Sequence, residues 1–406
     1  MEYGNNAGGA DFMLEISELK SARDACASND AKAYACREID LSLHGLAAVR
    51  LVNPSPSDTK AVVRQLGLVQ KPCLREPDIT IRFVERLHTP GGVRYLDNND
   101  VGFTDNAFLI LPGKYGNNAR TQIAFERIGR PCEIICETGI AEVPLLVSIF
   151  NLMLLRIGII ALHASAFVFN GKGILATGWS KGGKTETLLA FMARGATYIG
   201  DEWIYIKGDS GCAYGNVRRF GVWGWCLNDL PNIAARVDPR ELRRLHALTR
   251  AAKTLDAVLP EGSRNKSTLS KVMRRVLLMI EQQLKVNLEP MQIFGPDYCA
   301  PSGMIEKIFL VVSHDSPDIT VQPLDSRQIV RRMVFSLQYE RRDFLAAYIK
   351  FRFAFPELRN DFIEQSEDIE CDLLTRALIN REAYELRHPY PVSIPALFDA
   401  AAPLCG

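Results

Sequence analysis

The stretch Ile174-Leu-Ala-Thr-Gly178-Trp-Ser-Lys-Gly-Gly183-Lys184-Thr185-Glu186 decides the fold of this 406-residue sequence. Its second half fits the pattern Gly-x4-Gly-Lys-Thr, in which glycines let backbone N–H groups converge on phosphate oxygens. In this pattern the lysine neutralises the β- and γ-phosphates and the threonine hydroxyl binds Mg²⁺. An apolar run precedes the pattern, and an amphipathic segment follows it over residues 184–194. The sequence therefore predicts a strand, a phosphate loop and a helix that bind a nucleoside triphosphate.

The residues on either side of the loop predict further strands. Residues 164–169 form an apolar run, and Asn170-Gly171 is a strong hairpin turn that leads back into the phosphate-loop strand. After the loop helix, residues 198–200 indicate another strand, which ends at Asp201 and Glu202. We therefore expect this acidic pair close to the phosphates.

Four side chains near the loop are candidates for chemistry. One carboxylate of Asp201 and Glu202 can hold Mg²⁺ while its neighbour accepts a proton from an attacking hydroxyl. His163 precedes the hairpin and would lie beside the base of the loop. There it either orients a carboxylate or shares its proton, or it is an ordinary core histidine. Glu186 either complements the helix dipole or lies near the metal.

These patterns define the candidate site. The predicted nucleotide-binding residues are Gly178, Trp179, Ser180, Lys181, Gly182, Gly183, Lys184, Thr185 and Glu186. The predicted catalytic residues are Asp201, His163, Lys184 and Glu202, and the predicted metal ligands are Thr185, Glu186 and Glu202. Arg218 and Arg219 either hold an acidic substrate group or a phosphate, or lie at a solvated strand end.

The rest of the chain suggests four segments. Residues 1–40 have little apolar periodicity and suggest a mobile arm or a short helix. Residues 41–142 contain short alternating runs such as residues 79–84, which is typical of a β-rich domain. Residues 143–231 and 296–406 would form an α/β core with a mixed sheet. Residues 232–295 suggest a basic helical insertion, whose charge is either a solvated face or a docking surface for an acidic partner.

Composition narrows the class of protein. The formal net charge of +1 gives no overall electrostatic field that would favour binding to nucleic acid or to a membrane surface. The 47% of hydrophobic residues is typical of a globular protein. The ten cysteines include no Cys-x-x-Cys pair, which favours reduced thiols over a zinc site. Residues 143–162 are apolar but interrupted by Arg156, so we expect a buried helix leading into a strand. The N-terminus lacks a signal-peptide pattern, and we expect a cytoplasmic protein.

The order of the motifs resembles the HPr kinase/phosphorylase family. The similarity rests on Leu162-His-Ala-Ser, on Asn170 to Glu186 with its loop ending Gly-Lys-Thr-Glu, and on the run from Arg194-Gly to Asp201-Glu202. That family has a histidine before a hairpin, a loop ending Gly-Lys-Ser/Thr-Glu, an Arg-Gly helix end and an acidic pair. Its catalytic core is related to that of the phosphoenolpyruvate carboxykinases.

The resemblance implies a P-loop core of the HPr-kinase/PEP-carboxykinase type, with ATP or another nucleoside triphosphate as donor, Mg²⁺ as cofactor and assembly into a homo-oligomer. It implies that His163 is a catalytic-site histidine, that Asp201 is the general base towards a serine-type hydroxyl, and that Glu202 is its metal-side or histidine-side partner. Lys181 stands where the family commonly has Gly, and Glu202 where it has Asp. The family segment associated with HPr docking and dephosphorylation is not found. The resemblance therefore favours a divergent kinase acting on free serine or on serine in a protein or a biosynthetic precursor peptide.

Two other functions stay open from the sequence. The core could bind ATP in a nucleotide-gated regulatory protein without turnover, although such a protein has little need of a general base. A carboxykinase acting on a keto acid would need extra metal ligands and a set of arginines, of which the spacing shows no clear sign.

Overall fold

The computed structural model describes residues 37–73, 75–88, 91–96, 101–110, 119–216, 218–258 and 268–406. The predicted arm over residues 1–40 lies outside this part of the chain except for residues 37–40. Within the described residues the protein is a mixed α/β fold with 13 α-helices and three sheets.

Nineteen strands are described. They are β1 (Glu38–Leu43), β2 (Ala47–Val52), β3 (Val69–Gln70), β4 (Ile79–Val84), β5 (Arg94–Leu96), β6 (Val101–Phe103), β7 (Phe108–Ile110), β8 (Thr121–Ile123), β9 (Cys132–Glu137), β10 (Ile159–Phe169), β11 (Lys172–Thr177), β12 (Thr197–Gly200), β13 (Trp203–Lys207), β14 (Cys212–Tyr214), β15 (Phe220–Trp223), β16 (Lys285–Leu288), β17 (Ser302–His314), β18 (Thr320–Pro323) and β19 (Glu382–Pro389).

The helices of the described residues lie mostly in the second half of the chain. They are α1 (Pro56–Leu66), α2 (Leu146–Arg156), α3 (Lys184–Met192), α4 (Cys226–Asp229), α5 (Pro231–Ala234), α6 (Pro239–Val258), α7 (Thr268–Glu281), α8 (Pro290–Phe294), α9 (Ser326–Glu340), α10 (Arg342–Ala354), α11 (Asp361–Glu364), α12 (Ser366–Leu378) and α13 (Ile394–Ala401).

The N-terminal sheet has nine strands in the order β3-β1-β2-β4-β9-β8-β7-β6-β5. The pairs β2–β4 and β4–β9 are parallel, and the pairs from β9 to β5 are antiparallel. The alternating residues 79–84 form β4, as predicted, with every second side chain buried. The division of the chain into domains stays a prediction.

The second sheet carries the predicted phosphate loop. β10 and β11 form the predicted hairpin, and Asn170 and Gly171 have φ values of 50° and 76°, as a two-residue hairpin turn requires. β11 and β19 pair in parallel with β17, and β18 pairs with β19. The β13–β14 hairpin connects the first half of β10 to the first half of β17. Five strands, β10, β13, β14, β17 and β11, therefore form a closed ring.

Two hydrophobic cores lie on opposite faces of the second sheet. Along β11, Leu175 belongs to the first core, whereas its neighbours Ile174 and Ala176 belong to the second. The first core also contains side chains of the N-terminal sheet and of α2, α9, α10 and α12. The second contains those of α3, α13 and the β15–β16 pair. The alternation of side chains along the strand therefore places the second sheet between the two hydrophobic cores.

The segment of residues 232–295 departs from its prediction as a helical insertion. α6 and α7 pack against each other, but Lys285–Leu288 is a strand that pairs with β15. Val286 and Leu288 are buried whereas their neighbours are exposed. The helical prediction is wrong there, because four alternating residues are too short a run to distinguish a strand from a helix end.

The apolar segment of residues 143–162 has the predicted arrangement. Leu146–Arg156 is a mostly buried helix, and β10 begins three residues after it, at Ile159. No helix in the described parts of the chain combines the length and the apolar character needed to cross a membrane.

A buried ion pair fixes the junction between α9 and α10. Arg341, between the two helices, is 7% exposed, and Glu370 on α12 is 4% exposed. The guanidinium donates two hydrogen bonds to the Glu370 carboxylate, one of them at 2.8 Å, and a third to Ser366 Oγ at 3.3 Å. This contact ties the junction to α12 and so positions the residues on either side of Arg341.

We expect Glu370→Ala to lower the free energy of unfolding by about 3–5 kcal/mol, because the buried guanidinium of Arg341 loses its counter-charge. Urea unfolding followed by circular dichroism measures this loss. In the double variant Arg341→Met/Glu370→Leu no unpaired charge stays buried, so most of the stability should return. A single variant as stable as the wild type would contradict the buried pairing.

Candidate active site

The phosphate loop, residues 178–183, connects β11 to α3 and lies directly on β17 and β19. Gly178 has a φ of 152°, and a Cβ at this position would overlap with the carbonyl oxygen of Val311 on β17. Gly183 has a φ of 102°, and a Cβ there would overlap with the ring of His388 on β19. Sterics and backbone conformation therefore both require glycine at these two positions.

Lys184 folds back onto the loop. Its ammonium donates hydrogen bonds to the carbonyl oxygens of Trp179 at 2.8 Å and Gly178 at 3.4 Å. Lys184 is 6% exposed, and burial lowers its pKa although several carboxylates oppose this effect. The lysine is thus held inside the loop by two of the loop's own carbonyl oxygens.

The backbone conformation of Lys181 is unfavourable for a residue other than glycine. Its φ is 62°, a left-handed conformation that costs a non-glycine residue about 1–2 kcal/mol. Glycine is the residue that such a conformation favours. The Lys181 side chain is exposed.

Asp201, directly after β12, is the most buried carboxylate near the loop. It is 2% exposed and accepts hydrogen bonds from Ser165 Oγ and, at 2.9 Å, from Thr185 Oγ1. Burial raises the pKa of Asp201 to about 6, and the negative charge of Glu202 adds to the shift, while the two hydroxyl donors oppose it. The structure therefore joins the predicted carboxylate to the predicted threonine of the loop.

His163 lies between two carboxylates. Its Nδ1 is 2.8 Å from Oε1 of Glu340, and its Nε2 is 3.3 Å from Oε2 of Glu202. Burial lowers the pKa of His163, but the hydrogen bonds to Glu202 and Glu340 outweigh it, so the net shift is upward. Since carboxylate oxygens only accept, the arrangement favours the cationic ring with both nitrogens protonated.

The pKa values of the other two candidate carboxylates, Glu202 and Glu186, are shifted in opposite directions. The hydrogen bond from His163 lowers the pKa of Glu202 below its ordinary value, although burial opposes it. Glu186, in the first turn of α3, is 5% exposed, and burial raises its pKa to about 7. The structure therefore places Glu186 in the interior beside the loop rather than on a solvated helix face.

The two candidate arginines have different surroundings. The positive charge of Arg218 contributes to the lowered pKa of Glu202. The guanidinium of Arg219 instead donates to Glu289 at 3.2 Å, and the Arg219 side chain is 55% exposed. Arg218 is therefore the better candidate for a substrate anion.

Three residues at the site are not predicted from the sequence: Ser165, Glu340 and His388. Ser165 lies two residues after His163 on β10, so strand alternation already places both side chains on one face. Glu340 is 177 residues from His163, and His388, whose Nε2 is 2.9 Å from the Gly182 carbonyl oxygen, is 206 residues from that glycine. No local pattern connects such distant positions.

The oxygen donors around Thr185 suit a magnesium ion. Mg²⁺ takes one or two protein oxygens and completes its shell with phosphate oxygens and water. The Thr185 hydroxyl offers one such oxygen, and a cation would offset the burial of the Glu186 carboxylate in the first turn of the same helix. No group of three or more His, Cys, Asp or Glu side chains forms a metal cluster in the described residues. The ligand set of Thr185, Glu186 and Glu202 stays a prediction.

Comparison with known proteins gives no assignment: no protein-family model matches the chain, and no curated protein matches it significantly.

We expect Gly183→Ala to destabilise the protein more than Gly171→Ala does. Both residues have positive φ, but nothing lies within 4 Å of a Cβ at Gly171, so this control should lose only about 1–2 kcal/mol to backbone strain. Gly183→Ala must also displace His388, which should add about 1–3 kcal/mol. Urea unfolding of both variants measures the difference. Equal losses would show that the loop is not seated on His388.

Proposed function

We propose that this protein is an ATP- and Mg²⁺-dependent kinase that transfers the γ-phosphoryl group to a hydroxyl. The acceptor in this proposal is serine, in a peptide or protein (a biosynthetic precursor peptide included) or as the free amino acid. The observation that carries the proposal is the 2.9 Å contact between Asp201 Oδ2 and Thr185 Oγ1. It places a buried carboxylate, suited to accept a proton, beside the threonine of a phosphate loop.

The proposed core is of the HPr-kinase/PEP-carboxykinase type. The motif order in the sequence supports this, since His163, the loop and the acidic pair occur as in that family. The mixed sheet, the hairpin before the loop and the contact of His163 with Glu202 support it as well.

The proposed reaction uses each charged side chain in one role. Asp201 accepts the proton of the acceptor hydroxyl while the hydroxyl oxygen forms a bond to the γ-phosphorus. At the same time the bond between the γ-phosphorus and the β,γ-bridging oxygen breaks, and the nucleoside diphosphate leaves. Lys184 neutralises phosphate charge, since its ammonium can exchange the loop carbonyls for phosphate oxygens. His163, held by Glu202 and Glu340, fixes the acidic pair and opposes its mutual repulsion. Mg²⁺ would supply further charge neutralisation at the phosphates.

Asp201→Asn tests the proposal. The amide keeps the size of the side chain but cannot accept the proton, so turnover should fall about 10²–10⁴-fold. Labelled phosphate from ATP is followed into a panel of serine peptides, into free L-serine and, without an acceptor, into inorganic phosphate. Binding of a fluorescent ATP analogue should change little, because Lys184 and the loop are intact.

Ser165→Ala is the matched control for Asp201→Asn. It removes one donor to the same carboxylate but keeps the base, so most of the turnover should persist. If Asp201→Asn turns over ATP as fast as the wild type, or if the wild type never transfers phosphate to any acceptor or to water, the kinase proposal fails. The nucleotide-gated regulatory protein would then be the better description.

The pH dependence of turnover follows from the Asp201 environment. Burial raises the Asp201 pKa to about 6, and a proton acceptor works only when unprotonated. We therefore expect kcat/KM to fall as the pH drops below about 6 and to level off above it. A profile without an acid limb near this pH would argue against Asp201 as the base.

Glu340→Gln should move this acid limb to higher pH. The variant removes the negative charge that helps to keep His163 cationic, and the charge of His163 lowers the Asp201 pKa. When His163 loses this positive charge, Asp201 binds its proton more tightly and its pKa rises. Glu340→Asp keeps the charge and should leave the limb nearer its wild-type position. An unchanged limb in Glu340→Gln would show that Glu340 only supports the fold.

A further inference from the structure

An exposed row of aromatic and cationic side chains leads to the phosphate loop. Arg331, Phe335 and Tyr339 occur at every fourth position of α9 and therefore share one face of the helix. Phe335 is 65% exposed and Tyr339 is 42% exposed. The Tyr339 ring lies 4.8 Å from that of Trp179 in the loop, which is 50% exposed. We call Arg331, Phe335, Tyr339, Arg342 and Trp179 the α9 row.

The α9 row ends at the reacting groups. The carbonyl oxygen of Trp179 is 2.8 Å from the Lys184 ammonium, which contacts β- and γ-phosphates in loops of this type. Tyr339 directly precedes Glu340, whose carboxylate is 2.8 Å from His163. The row therefore reaches the γ-phosphate end of the site, where the acceptor must enter. The nucleobase would lie beyond the α-phosphate, away from this end.

The charge of the α9 row is positive. Arg331 makes no ion pair among the described residues, whereas its neighbour Arg332 is paired with Glu385. Arg342 lies 4.4 Å from the centre of the Tyr339 ring, and its contact with Asp343 is a long 3.9 Å between exposed groups. Lys181 in the adjacent loop is exposed as well. Such a surface complements carboxylate side chains, with aromatic rings for apolar or aromatic contacts.

The length of the α9 row favours a chain over a single amino acid. The eight residue-to-residue steps from Arg331 to Tyr339 on the helix rise about 12 Å, which an extended peptide covers with about four residues. We propose that the α9 row is the docking surface for an acidic peptide segment next to the phosphorylated serine of the acceptor. This inference rests on the proposed kinase function and selects a peptide or protein over free serine as the acceptor.

Peptide binding without nucleotide tests the inference directly. The probes are fluorescent serine peptides in which glutamates and one phenylalanine flank the serine, and matching peptides with lysine in place of each glutamate. The acidic peptide should bind the wild type more tightly than the basic one. Arg331→Ala/Phe335→Ala should weaken binding of the acidic peptide by about tenfold or more while binding of a fluorescent ATP analogue is unchanged.

Arg275→Ala/Phe353→Ala is the matched control, because it removes the same two side-chain types from exposed positions outside the α9 row. It should bind the acidic peptide as the wild type does. Equal binding of acidic and basic peptides, no binding of either, or equal loss in both double variants would overturn the inference. So would weaker binding of the ATP analogue to Arg331→Ala/Phe335→Ala with unchanged peptide binding, since the row would then contact the nucleotide. If the acidic peptide binds as expected but never accepts phosphate, the docking surface stands and the kinase proposal fails.

Discussion

The position of the phosphate loop depends on its close packing against β17 and β19. The loop backbone approaches Val311 and His388 so closely that neither Gly178 nor Gly183 could carry a Cβ. Both ring nitrogens of His388 lie within hydrogen-bonding distance of carbonyl oxygens, those of Gly182 and Pro389. Because β11, β17 and β19 are parallel neighbours, the strands fix the loop, and the loop fixes the first turn of α3. Thr185 thereby reaches Asp201 at the end of β12.

A second set of contacts brings the helical layer to the same site. His163 on β10 binds Glu202 on one side and Glu340, at the end of α9, on the other. The hydrogen-bonded ion pair between Arg341 and Glu370 ties the α9–α10 junction to α12. The junction is also held by the N-terminal sheet, since Phe351 of α10 packs against Phe108 of β7 with ring centres 5.7 Å apart. The N-terminal sheet contributes no candidate catalytic residue, but through α10 it supports the junction next to Glu340, the histidine's second partner.

The sequence predicts the strand–loop–helix unit and the acidic pair well, because the signals are local. The Asn170-Gly171 turn, the loop glycines and the strand before Asp201 each depend on a few adjacent residues, and all appear in the structure where expected. Sequence reasoning misses Glu340 and His388, since their contacts depend on how distant elements pack. It also misses the β16 strand, where four residues carry too little periodicity to outweigh the helical pattern around them.

The environments of the two adjacent carboxylates decide which of them is the better base. Asp201 and Glu202 are neighbours, so ionising both is unfavourable unless cations are close. His163 and Arg218 stabilise the charge on Glu202, whereas burial and the charge of Glu202 raise the pKa of Asp201. Glu202 is thus the more readily ionised of the two carboxyl groups, which makes it the weaker proton acceptor. Asp201 has a pKa of about 6, so it is ionised at neutral pH yet retains a useful affinity for the proton. Separation of the pKa values of two neighbouring carboxyl groups in this way is a feature of sites that move protons, and it supports the proposal that Asp201 accepts the proton while Glu202 supplies the supporting charge.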